Sequence, residues 1–360
     1  MSSSEPETRK AGRRLRSADI LSMISPRAAW QLLRGVVRAP FDPGFAGNPL
    51  AVCWFTNFSC NARCAFCCKA REIREGRDGF PPLPLNRAKA LLEKIRATVN
   101  LLFLSGGEPT LNPELPDLLR EAKRLGFSSI GMSTNLIDWG RRPEIAEFLD
   151  ALCVSLHSTN VEEHAEALGV SVRTAEKVFE NLERLRSEAP ARGQRVLINC
   201  VLTLRNLGRI PDLVKYTRER GFLLELVPAN DGGRTPKDLP GNPEYIALID
   251  RLLQMRKAGE AGHLAGSSAY YRRIRDFVPF RCFPYGIPNV MPDGRLCTPC
   301  DVSGQHAVNV LDHQDLQEAV RASLPHLGSY PCRAGRCFKA GIVERSRLFG
   351  LLDSGGTPDD

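Results

Sequence analysis

Twelve cysteines are spread unevenly over 360 residues, and three of them have a spacing that carries chemistry. Cys60, Cys64 and Cys67 form C-x3-C-x2-C within residues 56–68, Thr-Asn-Phe-Ser-Cys-Asn-Ala-Arg-Cys-Ala-Phe-Cys-Cys. Three thiolates can hold three irons of a 4Fe-4S cubane. The fourth iron then lacks a protein ligand, unlike the four-cysteine ferredoxin arrangement, and an outside chelate can occupy it. A zinc site is the alternative for such a pattern, but it ordinarily needs four ligands. Farther along, Gly106-Gly107-Glu108-Pro109 joins two glycines that allow close backbone approach to a carboxylate able to accept from a ligand ammonium. A second set, Cys282, Cys297, Cys300, Cys332 and Cys337, gathers near the C-terminus. Its expected ligands for a second metal centre are Cys282, Cys300, Cys332 and Cys337, with Cys297 as first alternate and a structural zinc as the competing reading. Cys53, Cys68, Cys153 and Cys200 read as packing thiols.

Short β-rich runs at 50–55, 101–105, 129–133, 151–156, 195–202 and 222–227 alternate with segments of helical period near 86–97, 114–125, 143–149, 172–187 and 209–220. Several of the helical segments end at a glycine suited to a C-cap, such as Gly126 or Gly221. Six such βα units predict an α/β fold, a partial (βα)6 TIM-like barrel, followed by a small C-terminal cysteine-rich module. In such sheets ligands sit at the C-terminal strand ends. The cysteine loop follows the first strand, Gly-Gly-Glu-Pro the second and Thr134-Asn135 the third, while Ser155 and His157 lie at the end of the fourth. For His157, contact with substrate and a structural hydrogen bond stand as equal expectations. The boundaries expected are 1–49 for a basic extension, 50–230 for the barrel, 231–279 for a linker with helices, 280–345 for the cysteine module and 346–360 for a tail. Asp293-Gly294 predicts a hairpin turn inside that module, with Cys297 and Cys300 just beyond it.

At these motifs the sequence resembles the radical S-adenosylmethionine (SAM) superfamily, and residues 50–230 look like its core. The resemblance implies a SAM-binding 4Fe-4S cluster on Cys60, Cys64 and Cys67. It implies that Phe66 lies against the adenine, that Gly106, Gly107 and Glu108 hold the methionine moiety, and that Ser155 and Asn199 touch the sugar and carboxylate. The C-terminal cysteines look like a Twitch or SPASM extension, which implies one auxiliary 4Fe-4S cluster.

Composition sets outer limits. With 42% hydrophobic residues the chain can bury one large core, or one core and a small appendage. The sequence has no apolar run of eighteen residues, and it opens without a signal-peptide layout, so a cytoplasmic protein is expected. Clustered cysteines in a reducing compartment are more often metal ligands than disulfides. Net charge is +8, but residues 1–40 hold eight basic side chains against three acidic ones, so the rest is nearly balanced and a nucleic-acid partner is not expected. Within that extension, 25–38 reads as an amphipathic helix with Arg27, Arg34 and Arg38 on one face, suited to packing on the barrel or to peripheral membrane contact.

The function expected is an oxidoreductase or maturase acting on a small metabolite, lipid or peptide, with a flavodoxin- or ferredoxin-type electron donor. A non-catalytic iron-sulfur carrier gives no reason for Gly-Gly-Glu-Pro. A polar methyltransferase would need a glycine-rich nucleotide loop that the sequence lacks.

Overall fold

The computed structural model describes residues 49–67, 80–230, 236–280, 286–297, 308–324 and 338. Six parallel strands form the frame: β1 (Val52–Phe55), β2 (Leu101–Ser105), β3 (Ser129–Thr134), β4 (Ala151–Ser155), β5 (Arg195–Leu202) and β6 (Leu223–Pro228), each paired with its neighbour in chain order. The connecting helices are α1 (Leu85–Thr98) before β2, α2 (Leu115–Arg124) before β3, α3 (Val161–Leu168) and α4 (Val172–Glu188) before β5, and α5 (Ile210–Glu219) before β6. Strand bounds agree with the sequence expectation to within two residues, because period-two alternation is a local signal.

Alternation along the strands makes two environments. Val52, Trp54, Leu102, Leu104, Leu152 and Val154 are buried beneath the helices, against faces such as that of α1, which buries Ala88, Leu91, Leu92 and Ile95. The intervening residues of β2, β4 and β5, apart from exposed Arg195, are only half-buried and line the inner side of the curved sheet. The lumen therefore has accessible walls. These include Phe103, Ser105, Ser133, Cys153, Ser155, Asn199 and Glu225.

Three expectations changed. Residues Pro143–Phe148 form a 3-10 helix rather than an α-helix. Helix α3, capped by the Asn160 side chain and ended by left-handed Gly169, was not anticipated because eight residues carry too little periodicity. The sheet also does not stop at six strands. The Asp293-Gly294 turn joins β7 (Asn289–Val290) to β8 (Leu296–Cys297) in an antiparallel pair, and β7 runs parallel to β1, giving the order β6-β5-β4-β3-β2-β1-β7-β8. Cys297 lies on the returning strand itself, 4% exposed, packed with Phe55, Phe58 and Met291. Beyond the barrel, α6 (Pro243–Lys257) and α7 (Ser268–Arg275) pack on each other, and α8 (Leu316–Ser323) lies against α1.

Candidate active site

The cysteine loop leaves β1 beside the residues that leave β2, and the two segments continue the parallel ladder past the strands. Thr56 N–H donates to the Ser105 carbonyl at 2.9 Å, Gly107 N–H to Asn57 at 2.9 Å, and Glu108 N–H to Ser59 at 2.8 Å. A Cβ on Gly106 would stand 2.3 Å from the Asn57 carbonyl oxygen, and one on Gly107 2.3 Å from that of Ser59. Real side chains do not fit at such distances. The two glycines therefore dock the cysteine loop by backbone contact, whatever else they touch. A third glycine does the same from the other side: Gly169, at φ +64, would put a Cβ 2.7 Å from the Arg63 carbonyl oxygen, while Arg63 N–H donates to Leu168 at 2.7 Å. The loop is thus clamped between the end of β2 and the end of α3.

Glu108 is 1% exposed and binds within the protein. Its Oε1 accepts from Thr110 N (3.1 Å), Thr110 Oγ1 (2.8 Å) and Thr134 Oγ1 (2.9 Å), and its Oε2 accepts from Asn135 N (2.7 Å). Burial pushes the carboxyl pKa up, and these donors pull against it. A carboxylate offers roughly four acceptor positions, two on each oxygen, so Oε2 retains one for a ligand ammonium. The carboxylate joins the β2 loop to the end of β3 in any case. Asn135 extends that link, donating from Nδ2 to Asn61 Oδ1 at 2.7 Å, and Asn61 Nδ2 donates to Asp138 at 2.8 Å.

The three thiols are half-buried. Burial raises the pKa of Cys60, and raises that of Cys64 to about 12, with the charges of neighbouring cysteines of the trio adding to both. Metal coordination reverses this, since a bound thiol is deprotonated outright. Two donors already address Cys60 Sγ, Ala62 N at 3.4 Å and Asn135 Nδ2 at 3.9 Å, the kind of contact that tunes a metal-bound sulfur. A single zinc would need sulfurs gathered around Zn–S bonds of about 2.3 Å. Among the described residues no group of three or more His, Cys, Asp or Glu side chains stands at ion-binding spacing. A cubane interposes its own irons and sulfides and spans a wider set. The loop fits that group through its three accessible thiols and the two donors aimed at Cys60 Sγ.

Across the lumen mouth, strand register aligns Ser155 with Asn199 and Asn199 with Glu225. Asn199 Oδ1 is buried without a partner among the described residues. Both residues expected at the SAM sugar and carboxylate therefore face the lumen, in line with Glu225, which sequence reasoning passed over. Cys153, also lumen-facing, has its thiol pKa raised to about 12 by burial, with the Glu225 charge adding. Cys200 is fully buried on the helix side, as expected of a packing thiol. Phe66 is half-buried, with its ring meeting that of His157 at 4.7 Å and 76°. Cys68, Cys282, Cys300, Cys332, Cys337 and the 25–38 helix lie outside the described residues. No helix among the described residues is long and apolar enough to cross a membrane.

Residues 55–216 match the Radical SAM superfamily model. Similar sequences include two named "Probable GTP 3',8-cyclase". That of Sulfurisphaera tokodaii is 32% identical over 55% of this chain and 61% of its own length, so the chain spans less than two thirds of this relative. That of Saccharolobus islandicus is 27% identical over 70% of this chain and 83% of its own length. Among solved structures, Streptococcus suis SuiB bound to precursor peptide SuiA superposes with a TM-score of 0.57 at 16% identity, covering 93% of this chain and 74% of SuiB. Native anSMEcpe with bound AdoMet and Cp18Cys peptide gives 0.58 at 15% identity, covering 84% of this chain and 96% of its own. At such identities these two likenesses concern the fold alone. Residues 55–216 are thus similar to a radical SAM domain, which indicates an enzyme and implies a 4Fe-4S cluster and SAM as cofactors.

Proposed function

We propose that the protein cleaves SAM reductively at a 4Fe-4S cluster held by Cys60, Cys64 and Cys67 and abstracts a hydrogen atom from a small polar substrate bound in the lumen. The observation that carries this reading is the clamped three-cysteine loop at the mouth of a barrel whose inner wall is open and polar. When bound, the cluster supplies one electron to the SAM sulfonium, giving methionine and a 5′-deoxyadenosyl radical that takes hydrogen from substrate. The chain's own residues orient the partners. Gly106 and Gly107 hold the loop against β2, Glu108 keeps one acceptor position for the SAM ammonium, and Ser155 and Asn199 offer polar contacts to its sugar and carboxylate.

The hydroxyls of Ser105 and Ser133, 3.0 Å apart, together with Asn199 and Glu225, favour a substrate with hydrogen-bonding groups over a lipid. The names of the two sequence relatives point the same way, toward a small molecule. A flavodoxin- or ferredoxin-type protein is the proposed reductant. The C-terminal cysteines are proposed to hold an auxiliary 4Fe-4S cluster through Cys282, Cys300, Cys332 and Cys337, Cys297 being occupied in apolar packing on β8. Iron near about eight per chain, falling to about four when Cys332 and Cys337 become alanine, supports that second cluster, whereas one zinc with about four irons contradicts it.

The central test is anaerobic reconstitution with dithionite and SAM. The wild type should yield 5′-deoxyadenosine and methionine, and Cys60→Ala/Cys64→Ala/Cys67→Ala should yield neither. Turnover by the triple variant would refute the reading. Residues 25–38 are proposed as a peripheral membrane contact. Equal liposome co-sedimentation with and without residues 1–40 would refute that.

A further inference from the structure

The sulfurs of the cysteine loop meet different surroundings. Cys60 Sγ faces donors, Ala62 N–H at 3.4 Å and Asn135 Nδ2 at 3.9 Å, the second distance long but within reach of a sulfur acceptor. Cys64 Sγ lies instead 3.8 Å from the Leu168 carbonyl, to which it can only donate. Ala62 belongs to the loop itself. Asn135 comes to Cys60 from the end of β3, 75 residues away in the chain.

The Asn135 amide has one orientation. Its Oδ1 accepts from Ile137 N–H at 3.0 Å, which identifies the other end as the donor. One of the two Nδ2 hydrogens goes to Asn61 Oδ1 at 2.7 Å, and the other is available to Cys60 Sγ. Behind it, Asn61 Nδ2 donates to Asp138 Oδ2 at 2.8 Å, and Asp138 Oδ1 pairs with the exposed Arg141 guanidinium at 3.1 Å. The turn that carries Asn135 is strained: Leu136, fully buried, has φ +65, a left-handed conformation that leucine rarely adopts. Neighbours hold it there, Leu136 N–H donating to Thr134 Oγ1 and Asn181 Nδ2 donating to the Leu136 carbonyl, both at 2.9 Å. Strain of this kind clusters where the geometry serves a function.

We propose that Asn135 raises the reduction potential of the cluster on Cys60, Cys64 and Cys67 by donating to the Cys60 sulfur, with Asn61 and Asp138 as positioning residues that hold its amide in place. Reduction adds one negative charge, part of which falls on the sulfurs, and a donor aimed at a sulfur stabilises the reduced form more than the oxidised one. Cys64 offers no such help, because its sulfur, once deprotonated by metal, faces a carbonyl oxygen. The inference rests on the cluster proposed above and assigns part of its potential to side chains outside the cysteine motif.

The test is an anaerobic redox titration of reconstituted full-length protein, followed by electron paramagnetic resonance and read on the signal that Cys60→Ala/Cys64→Ala/Cys67→Ala lacks. Asn135→Ala should keep that signal with a reduced-to-oxidised ratio about tenfold lower at any given potential, a midpoint lower by about 59 mV for one electron. Asn135→Asp still accepts from Ile137 N–H but has no hydrogen to give, and should lower the midpoint at least as far. Asp138→Ala should lower the same ratio about threefold, whereas Asp138→Asn, whose side-chain oxygen still accepts from Asn61, should restore the wild-type value. An unchanged or raised midpoint in Asn135→Ala overturns the proposal. Loss of the signal from both alanine variants overturns it too, since the relay would then brace the fold rather than tune the sulfur. If only Asn135→Ala loses its cluster, the midpoint of Asp138→Ala decides, and no shift there refutes the proposal. Failure of the SAM reading looks different: the cluster would titrate as expected while the wild type released no 5′-deoxyadenosine.

Discussion

The two halves of the barrel mouth use their polar atoms differently. On the β1–β3 side Glu108 accepts four protein donors, Asn135 bridges the carboxylate to the cysteine loop, and the glycines bring backbone onto backbone. Asn57 Oδ1 is the one buried side-chain acceptor left over there among the described residues. On the β4–β6 side Asn199 Oδ1 has no protein partner among the described residues, and Glu225 lines up beside Asn199. Further orphaned buried atoms among the described residues are on Trp54, His164, Gln194 and Arg256. Buried polar atoms are costly unless paired. The first half is therefore complete as folded and holds the loop, whereas the second is completed by what binds.

If that contrast is right, damage to the first half should be read in stability and iron retention, and damage to the second in ligand binding at unchanged stability. The largest effect is expected for Gly107→Ala. Its Cβ would meet the backbone carbonyl oxygens of Phe58 and Ser59, so the loop must move, and the variant should lose most of its iron and 5′-deoxyadenosine formation, with a stability loss of about 1–3 kcal/mol. Wild-type iron content in that variant would break the clamp argument. Next comes Glu108→Gln. An amide cannot accept on its nitrogen side, so at least one buried donor is orphaned at about 1–3 kcal/mol, measured as a shifted denaturant midpoint. Weaker SAM binding should accompany it through loss of the Oε2 acceptor position.

A pH experiment probes the β4 end. His157 and His164 have folded pKa values near 3 and 4, held down by burial, against an unfolded value near about 6.5. The unfolded chain binds more protons between those limits. Stability contributed by the neutral pair is full above about 7 and is lost as pH falls toward 4, at up to about 1.4 kcal/mol per unit for each histidine. His164→Asn should flatten the slope by roughly one proton, and an unchanged slope would contradict the burial of His164. The smallest effect is expected for Asn199→Ala. SAM affinity should fall about threefold to tenfold while the melting temperature holds. A destabilised variant with normal SAM binding would move Asn199 into the tied half and blur the comparison.

Much of this was legible in the linear sequence. The six strand positions followed from alternation, the hairpin from Asp293-Gly294, and the C-caps from Gly126 and Gly221, all at positive φ. The site loops followed because a parallel sheet puts its ligands at strand ends. Helix α3 escaped notice although Asn160 and Gly169 bracket it, and with it went the second clamp on the cysteine loop. The role of Asn135 was visible only as a residue after strand three.

What the sequence determined by itself was the chemistry on offer, three thiols at cubane spacing, and the βα frame that carries them, because residue spacing and hydrophobic period are properties of neighbours along the chain. Only the tertiary structure decided that Gly107 lies on Ser59, that β7 adds to the free edge of β1, and that Val201 N–H pairs with His157 Nδ1. These contacts join segments 44 to 236 residues apart in the chain. No local pattern encodes them, since a backbone amide or a strand edge presents the same groups to any partner until packing selects one.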